Sequence, residues 1–340
     1  MSQGMSQGMS QGMSQGPLTK LEAADFINRS FEPLPRSYGD ALVEAAKVDP
    51  RIVALCADLV PPTETDRFRD ELPHRFENVG IAEANMIGIA GGMARSGEIP
   101  FCHSFCAFIV KRALDQITMQ AAYPRLPIKL VGFLPGVATI LGVSHQAIED
   151  VAILRAVPNM AIFEPSGPEY HAAMVQLALD WEGPVYLRMK RPETAPPPFE
   201  PRALAIGKGV IRREGRDLTI ITAGLCVAQA LEAASILGDE GIEARVVDMA
   251  SIKPLDAALV LESAASSGAI LTAENHSIVG GLGSAVAEVL AEEGIGIPFK
   301  RIGIRDRFCE GGATPYLMSK FGIDAAAIAA AARSLMRKKP

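Results

Sequence analysis

Short apolar runs alternate with longer amphipathic segments along the chain from Pro35 onward. Runs such as RIVALCADL and PIKLVGF are almost entirely apolar, which predicts strands buried on both faces. Segments such as RSYGDALVEAAKV carry apolar residues at a helical period. Further helices are predicted from Glu83 to Ser96, after a short strand at Asn78–Ile81, and from Ala107 to Tyr123. Strands that alternate with helices of this length predict a mostly parallel sheet with helices on both faces.

A second alternation of the same kind begins after a proline-rich interruption. Residues 191–203, RPETAPPPFEPRA, contain five prolines and hardly any apolar period, which is typical of a linker. Four further apolar runs follow: LTIITAG, ARVVDMA, AILTAEN and FKRIGI. The chain is therefore predicted to be an α/β protein with two consecutive three-layer α/β domains, residues 18–190 and a smaller domain at 204–340, each on a mostly parallel sheet.

Residues 1–17 are predicted to form a disordered tail, because MSQG is repeated four times before Pro17 and the repeat has too little hydrophobicity to pack. The repeat lacks the basic start and apolar centre of a signal peptide. No run of about 18 uninterrupted apolar residues follows it, so no membrane-spanning helix is predicted. A cytoplasmic protein is therefore expected.

Composition indicates a globular chain and narrows the class of ligand. Of the 340 residues 49% are hydrophobic, and the formal net charge is −6, which gives no basic face for a nucleic acid. The five cysteines are odd in number and irregularly spaced, which favours reduced thiols over a disulfide framework. Cys102, His103 and Cys106 lie close in sequence, but a structural zinc site needs four ligands and no second Cys/His pair has matching spacing, so no metal site is predicted.

The stretch from Phe76 to Phe108 contains the most informative candidate chemistry. Glu83 stands where a helix rich in alanine and glycine begins, so its carboxylate either caps the helix or faces another surface that packs closely on that thin helix. In a sealed interface the neutral carboxyl is favoured and it could share a proton with a ring nitrogen. Phe105 and Phe108 follow a predicted strand three residues apart, so they either pack in the core or face one pocket.

Several other residues have both a structural and a functional interpretation. His145, in GVSHQAIEDVA, either caps a helix or contacts a ligand. Arg188 and Arg191 end the last strand of the first domain as solvated charges or as phosphate ligands, and Arg36 is a third candidate anion contact. GGLGSA, residues 280–285, suggests a dinucleotide motif, but its third glycine is missing, and a tight turn that brings a helix close to the sheet is favoured.

Five segments in the same order resemble the C-terminal half of transketolase: VGIAEANM, SFCAF, SHQAIEDVAILRAVPNM, PVYLRMKRP and ENHSIVGGLGSAVAE. More narrowly, the chain is similar to the small subunit of split transketolases, in which the pyrimidine-binding and C-terminal domains form a separate chain. The similarity extends from about Arg36 to the end of the sequence. It implies a pyrimidine-binding domain followed by a smaller transketolase C-terminal domain.

The resemblance also implies thiamine diphosphate as the cofactor and transfer of a two-carbon ketol unit from a ketose or ketose phosphate to an aldose. Glu83 would hydrogen-bond the aminopyrimidine N1′ and so activate the cofactor, and Phe105 and Phe108 would line the aminopyrimidine pocket. Asp58 and Lys111 stand at positions near the cofactor, although Lys111 replaces a tyrosine of the family.

Substrate contacts are implied at Arg36, His145 and Arg191, and His145 is in addition a catalytic candidate. Other positions depart from the family. A histidine of the substrate channel becomes Phe133, an aspartate that contacts donor hydroxyls becomes Leu141, and a serine that helps to hold phosphate becomes Pro62. The expectation is a retained cofactor site beside an altered sugar site.

A partner is expected, because no stretch of the sequence supplies the family's diphosphate-binding domain with its GDG-type motif. The large subunit would carry that domain and the Mg²⁺ ligands, in an α2β2 assembly by analogy with the transketolase dimer. Two alternatives remain open: the β subunit of a 2-oxoacid dehydrogenase, and a non-catalytic subunit that only binds a partner.

Overall fold

A computed structural model describes residues 36–190 and 202–337, which form two consecutive layered α/β arrangements on two sheets. The predicted tail at 1–17 and most of the predicted linker lie outside the described residues, and so does Arg191. Within the described residues no helix is long and apolar enough to cross a membrane.

The first part of the described chain, residues 36–190, contains six strands and six α-helices. The strands are β1 (Ile52–Cys56), β2 (Phe76–Asn78), β3 (Ile99–Phe105), β4 (Lys129–Phe133), β5 (Ala161–Phe163) and β6 (Val185–Met189). The helices are α1 (Ser37–Val48), α2 (Asp66–Glu71), α3 (Glu83–Arg95), α4 (Cys106–Gln116), α5 (Asp150–Arg155) and α6 (His171–Asp180). A π-helical turn, Ile117–Ala122, continues α4, so the segment predicted as one helix up to Tyr123 changes its winding near the middle.

The second described part, residues 202–337, contains six strands and five α-helices. The strands are β7 (Val210–Arg213), β8 (Leu218–Thr222), β9 (Ala244–Asp248), β10 (Ser251–Lys253), β11 (Ile270–Ser277) and β12 (Phe299–Ile304). The helices are α7 (Cys226–Gly238), α8 (Ala257–Ser267), α9 (Leu282–Glu292), α10 (Thr314–Phe321) and α11 (Ala325–Met336).

The first sheet has the order β10-β5-β6-β4-β3-β1-β2, and all its neighbours are parallel except β10 and β5. The second sheet has the order β12-β11-β8-β9-β7, in which β7 alone is antiparallel to its neighbour among the described strands. The mostly parallel α/β architecture predicted from the sequence is confirmed. The estimate of four strands for the second sheet missed β7, which is only partly buried and so lacks a continuous apolar run.

Helices cover both faces of the first sheet, as the apolar strands predict. On one face α1 and α6 pack their apolar residues against alternate strand positions such as Ala54 and Val131. On the other face α3 and α4 pack against the intervening positions, such as Leu55 and Leu130. That second apolar cluster continues without a break into the second sheet, so the two parts share one buried core.

Strand β10 is a feature that the sequence pattern did not predict. It follows the linker in sequence, yet it pairs with β5 and completes the edge of the first sheet. The Lys253 ammonium donates hydrogen bonds to the carbonyl oxygens of Arg155 and Val157, at 2.8 and 2.6 Å. The two parts of the chain are therefore joined by the pairing of β10 with β5 as well as by the shared core.

Candidate active site

Four neighbouring strands of the first sheet bring the candidate residues to one edge. These strands have the order β4-β3-β1-β2, and the candidate residues lie at or just after their carboxyl ends. The 134–147 loop follows β4, Phe105 is the last residue of β3, Asp58 follows β1 and Glu83 follows β2. The carboxyl ends of parallel strands meet at the same edge of a sheet, where α/β proteins bind their ligands. The sheet topology therefore accounts for how residues far apart in sequence come together.

Glu83 is buried, with 3% of its surface exposed, at the first residue of α3. Its Oε1 accepts a hydrogen bond from the Ser104 hydroxyl at 3.2 Å, and both of its oxygens accept from Arg112 Nη1, at 2.9 and 3.1 Å. Among the described residues it accepts no hydrogen bond from the backbone of α3. Glu83 therefore lies in the first turn of α3, as the capping interpretation requires, but its carboxylate hydrogen-bonds to side chains and not to the backbone of the helix.

Phe105, Phe108 and His145 form a cluster of rings beside this carboxylate. The ring centroids of Phe105 and Phe108 are 5.6 Å apart, and the His145 ring lies 6.0 Å from the first and 5.1 Å from the second. Phe108 and His145 meet edge to face, a favourable geometry for aromatic pairs. The two phenylalanines thus contact His145 in addition to packing against the core.

Arg112 connects the carboxylate to the rings. Its guanidinium carbon lies 3.9 Å from the centroid of the Phe108 ring, within the range of a cation–π contact. Its positive charge acts on His145 as well: partial burial and then the charge of Arg112 lower the pKa of His145 below its ordinary value. The sequence argument missed Arg112, although its spacing of four residues from Phe108 on a predicted helix puts the two on one face.

The position of the Arg112 guanidinium indicates what kind of group fits between Glu83 and Phe108. A planar hydrogen-bonding group, the guanidinium, already lies on the face of Phe108 and donates to both Glu83 oxygens. A buried carboxylate and an aromatic face at this separation therefore suit a flat ring that has a polar edge. The site fits the aminopyrimidine that the resemblance implies.

The remaining predicted site residues that the structure describes have partners of their own. Lys111, next to Arg112 on α4, forms an exposed ion pair with Glu149 at 2.5 Å. Asp58 has a left-handed backbone, with φ of 58°, and accepts a hydrogen bond from the Asn78 amide at 3.2 Å. Arg36 forms an ion pair with Asp66. Among the described residues none of these three hydrogen-bonds to Glu83.

The structure changes the interpretation of the altered sugar site. Phe133 is fully buried and packs edge to face on Tyr38, with the ring centroids 5.6 Å apart, so it belongs to the core of this chain and does not line a channel. Leu141 is 53% exposed on the 134–147 loop, the same loop that carries His145. Leu141 is thus a substituted position that is open to solvent on the loop of His145.

Arg188 is neither a solvated charge nor a phosphate ligand, and that interpretation is wrong. It is 1% exposed and donates hydrogen bonds to Asp150 and Glu164, each at 2.8 Å. Burial raises the pKa of Asp150, but the charges of Arg188 and His276 and the hydrogen bonds from Arg188 and Tyr186 together bring it below its ordinary value; burial dominates at Glu164, whose pKa is raised. This network lies between the two sheets, because Arg188 also donates to the carbonyl oxygen of Asn275 on β11.

The GGLGSA segment makes a tight turn, as favoured from the sequence. The carboxylate of Glu274 accepts hydrogen bonds from the backbone of Leu282 at 2.7 Å and of Gly283 at 3.1 Å, at the start of α9. A Cβ atom on Gly281 would lie 2.1 Å from Glu274 Oε2, so only glycine fits there. The place that a dinucleotide phosphate takes at a helix start is filled by a carboxylate of the chain itself.

Comparisons with known proteins agree with this arrangement. Residues 35–196 match the family description of the transketolase pyrimidine-binding domain, and residues 207–328 match that of the transketolase C-terminal domain. The chain is 45% identical over 305 residues to the 6-deoxy-6-sulfo-D-fructose transketolase subunit SqwH of a Clostridium species, and the match spans 89% of this chain and 94% of that protein.

Two further relatives are also transketolase chains of similar length. Identity to an apulose-4-phosphate transketolase subunit of Phocaeicola vulgatus is 36% over 306 residues, which covers 89% of this chain and 97% of that one. A solved structure described as a split gene transketolase, inactive beta4 tetramer, is 44% identical with a TM-score of 0.82, and the match covers 90% of this chain and 98% of that one. The two alternatives raised from the sequence are not favoured by these matches. The chain belongs to the transketolase family, as a transferase chain of the split type in which the pyrimidine-binding and C-terminal domains stand together.

Proposed function

We propose that this chain is the small subunit of a thiamine-diphosphate-dependent split transketolase, which transfers a two-carbon ketol unit from a ketose to an aldose together with a large subunit. The observation that carries the proposal is the buried Glu83 carboxylate facing the Phe108 ring across a flat, hydrogen-bonding guanidinium. When bound, the cofactor supplies the electron sink for cleavage and formation of the carbon–carbon bond.

The residues of this chain bind and orient the aminopyrimidine. Phe105 and Phe108 hold the ring by stacking and exclude water from one side of it, since Phe105 is buried and Phe108 half-buried. Glu83 would hydrogen-bond the ring nitrogen N1′ and hold a proton there, and Ser104, which donates to Glu83 Oε1 at 3.2 Å, would fix the orientation of the carboxylate. Arg112 would have to give up its bonds to Glu83 for the ring to bind.

The residues around this pocket are assigned to cofactor and substrate. His145, beside the two phenylalanines, is proposed to contact the sugar and to hold or release a proton at its reacting oxygen; because its pKa is lowered, it is neutral at pH 7 and accepts a proton. Arg36 and Arg191 are proposed as further substrate contacts, and Asp58 and Lys111 as residues near the cofactor. We assign the diphosphate and Mg²⁺ ligands to the large subunit, in an α2β2 assembly.

A ketose with a terminal anion is the proposed donor. Two of the relatives named above are transketolase subunits for 6-deoxy-6-sulfo-D-fructose and for apulose-4-phosphate. This chain offers the cations Arg112 and Lys111 at the open side of the cluster, where both side chains are more than a third exposed. Leu141 lies on the same loop as His145 and lacks the carboxylate that would compete with the anion for those cations.

Reconstitution tests the proposal. The full chain is mixed with a separately produced chain that carries a GDG-type diphosphate-binding domain, with thiamine diphosphate, Mg²⁺, an aldose acceptor, and either 6-deoxy-6-sulfo-D-fructose or fructose 6-phosphate as donor. Transfer of a two-carbon unit from either ketose, detected by mass spectrometry of the shortened aldose and the lengthened ketose, is the expected result. If neither donor is consumed although the two chains form a complex that binds thiamine diphosphate, the proposal is wrong.

A further inference from the structure

The 134–147 loop, which carries His145 and Leu141, is held from outside by the second sheet. A β-bridge between Gly136 and Ala147 closes the base of the loop, with backbone hydrogen bonds of 3.0 and 3.2 Å. Within the loop the amide of His145 donates to the carbonyl oxygen of Gly142 at 3.0 Å. The position of His145 therefore depends on how firmly the bridged base is fixed.

Asn275 on β11 fixes that base with both ends of its side-chain amide. Its Oδ1 accepts a hydrogen bond from the backbone of Val137 at 2.9 Å, and its Nδ2 donates to the carbonyl oxygen of Pro135 at 2.9 Å. Asn275 is 2% exposed, so water does not compete for these bonds. The side chain thus acts like an added peptide unit that pairs with the backbone on either side of Gly136.

The fit around Gly136 is close. Gly136 has a φ of +55°, and a Cβ atom there would lie 2.2 Å from both the backbone oxygen and the side-chain oxygen of Asn275. Such a contact excludes any side chain at this position unless the loop moves away from β11. The segment and Asn275 are therefore matched in both shape and hydrogen bonding.

The backbone of Asn275 is anchored in turn by the buried ion-pair network. Arg188 donates from Nη2 to the Asn275 carbonyl oxygen at 3.0 Å and, from the same nitrogen, to the carbonyl oxygen of Ala147 at 3.0 Å. The Arg188 guanidinium thus hydrogen-bonds both Asn275, which holds the loop, and Ala147, which forms the β-bridge with Gly136. A second contact lies nearer the tip, where Gln146 donates to the carbonyl oxygen of Glu310 at 2.9 Å.

We propose that Asn275 is a positioning residue, through which the second sheet holds the 134–147 loop and so keeps His145 against Phe105 and Phe108. The hydrogen bonds between Asn275 and the loop lie within this chain, whereas the effect of Asn275 on substrate binding rests on the function proposed above. Loss of the Asn275 amide frees the base of the loop, and the His145 ring moves away from the two phenylalanines and from Arg112.

Nuclear magnetic resonance of the histidine rings in the full chain tests the grip without any activity. The chain has five histidines, and a His145→Gln variant assigns the signal of His145. In the Asn275→Ala variant we expect the pKa of His145 to rise toward its ordinary value, because the partial burial and the nearby charge that lower it are both lost. Gly136→Ala should raise the pKa of His145 in the same way, because the added Cβ atom would push the loop away from Asn275.

Asn159→Ala is the matched control. Asn159 lies ahead of β5, at the opposite edge of the first sheet, where its amide donates to the carbonyl oxygen of Ala122 at 3.0 Å. This variant removes one side-chain hydrogen bond to the backbone of the π-helical turn and should leave the pKa of His145 lowered. If Asn275→Ala does not fold, Asn275→Asp, which keeps the size and the acceptor, replaces it with the same expected direction. An unchanged pKa of His145 in the folded Asn275 and Gly136 variants overturns the proposal.

The reconstituted complex gives a second readout. With Asn275→Ala, KM for the ketose should rise and kcat/KM should fall about 10- to 100-fold, as expected for a displaced contact, while the dissociation constant for thiamine diphosphate stays within about twofold because Glu83, Phe105 and Phe108 are untouched. A loss of cofactor affinity equal to the loss of substrate affinity indicates general damage and overturns the positioning role. If the wild-type complex transfers no ketol unit but the histidine titrations respond as expected, the proposed function fails and the grip on the loop stands.

Discussion

Two arginine–carboxylate groups lie on the first sheet, and they differ in how deeply they are buried and in what surrounds them. Arg112 meets Glu83 at the edge of the sheet, where the Arg112 side chain is 45% exposed and lies on an aromatic face. Arg188 meets Asp150 and Glu164 between the two sheets, and the arginine is 1% exposed. The first pair has one solvated partner, whereas every member of the second group is enclosed.

The difference separates a site from a structural joint. An exposed ion pair contributes little to stability, so its partner can be exchanged for a ligand at small cost. A buried pair depends on each member for the solvation of the others, and removal of one leaves an uncompensated charge. Both groups look alike in the sequence, as an arginine in an apolar context, and only burial distinguishes the residue that a ligand can displace from the one that it cannot.

The largest expected effect is on catalysis at the exposed group. Glu83→Gln keeps the shape and the contact with Ser104 but removes the carboxylate that we propose holds the proton at the ring nitrogen, so ketol transfer in the reconstituted complex should fall about 10²- to 10⁴-fold. Steady-state kinetics with saturating thiamine diphosphate measures it. Assembly with the large subunit should be unchanged by size-exclusion chromatography, and near-normal turnover would refute the role of Glu83.

The next effect is on stability at the buried group. Arg188→Met leaves Asp150 and Glu164 without their shared cation, and it should lower the free energy of unfolding by about 3–5 kcal/mol. Urea denaturation followed by circular dichroism measures the change. An unfolding free energy within about 1 kcal/mol of the wild type would mean that the Arg188 network does not hold the two sheets together.

A pH effect of intermediate size is expected at Glu274, which lies beside the buried group. Burial raises the pKa of Glu274 to about 7 from an ordinary value of 4.5, against the opposing effects of two backbone hydrogen bonds and the charge of Arg188. The folded state therefore binds this proton more tightly than the unfolded state, and the stabilisation is complete below pH 4.5 and lost as the pH rises through 7.

The Glu274→Gln variant should remove this dependence. Between about pH 5 and pH 8 the free energy of unfolding of the wild type should fall relative to that of Glu274→Gln by on the order of 2–3 kcal/mol. Denaturation midpoints of both proteins across that range test it. Parallel pH profiles for the two proteins would show that Glu274 is ionised throughout.

The smallest effect is expected from Arg112→Met, which makes the same substitution at the exposed group. The free energy of unfolding should change by less than about 1 kcal/mol, because solvent replaces the lost partner of Glu83 on one side. Comparison with Arg188→Met under identical conditions is the measurement. Equal destabilisation by the two variants would remove the distinction between site and joint.

The sequence predicted the architecture because the strands of a parallel sheet are apolar throughout and stand out from the helices that separate them. Glu83, Phe105, Phe108 and His145 were also found from the sequence, and the structure brings them together. The chain order of the motifs, more than any single residue, carried that prediction.

The failures have physical causes as well. Arg188 occupies a strand end where an arginine is usually solvated, and its burial depends on carboxylates whose approach is set by the tertiary fold. Arg112 was overlooked because charged residues on amphipathic helices are common and only its contact with Phe108 makes it notable. Phe133 matches a channel position, yet it turns into the core against Tyr38. Strand β10 has only three residues, too few for a pattern.

Strand β10 also bears on how a substrate could gain access. A proline-rich linker between two domains is usually the pivot of a hinge, about which the domains open and close as rigid bodies. Here the chain beyond the linker returns to pair with β5, so a rotation of one part against the other would break a backbone ladder and expose the common core. The β10–β5 pairing and the shared core therefore oppose opening and closing about the linker. We expect access to the proposed site to depend on side-chain rotation instead, and Arg112 is the first candidate because its side chain is 45% exposed.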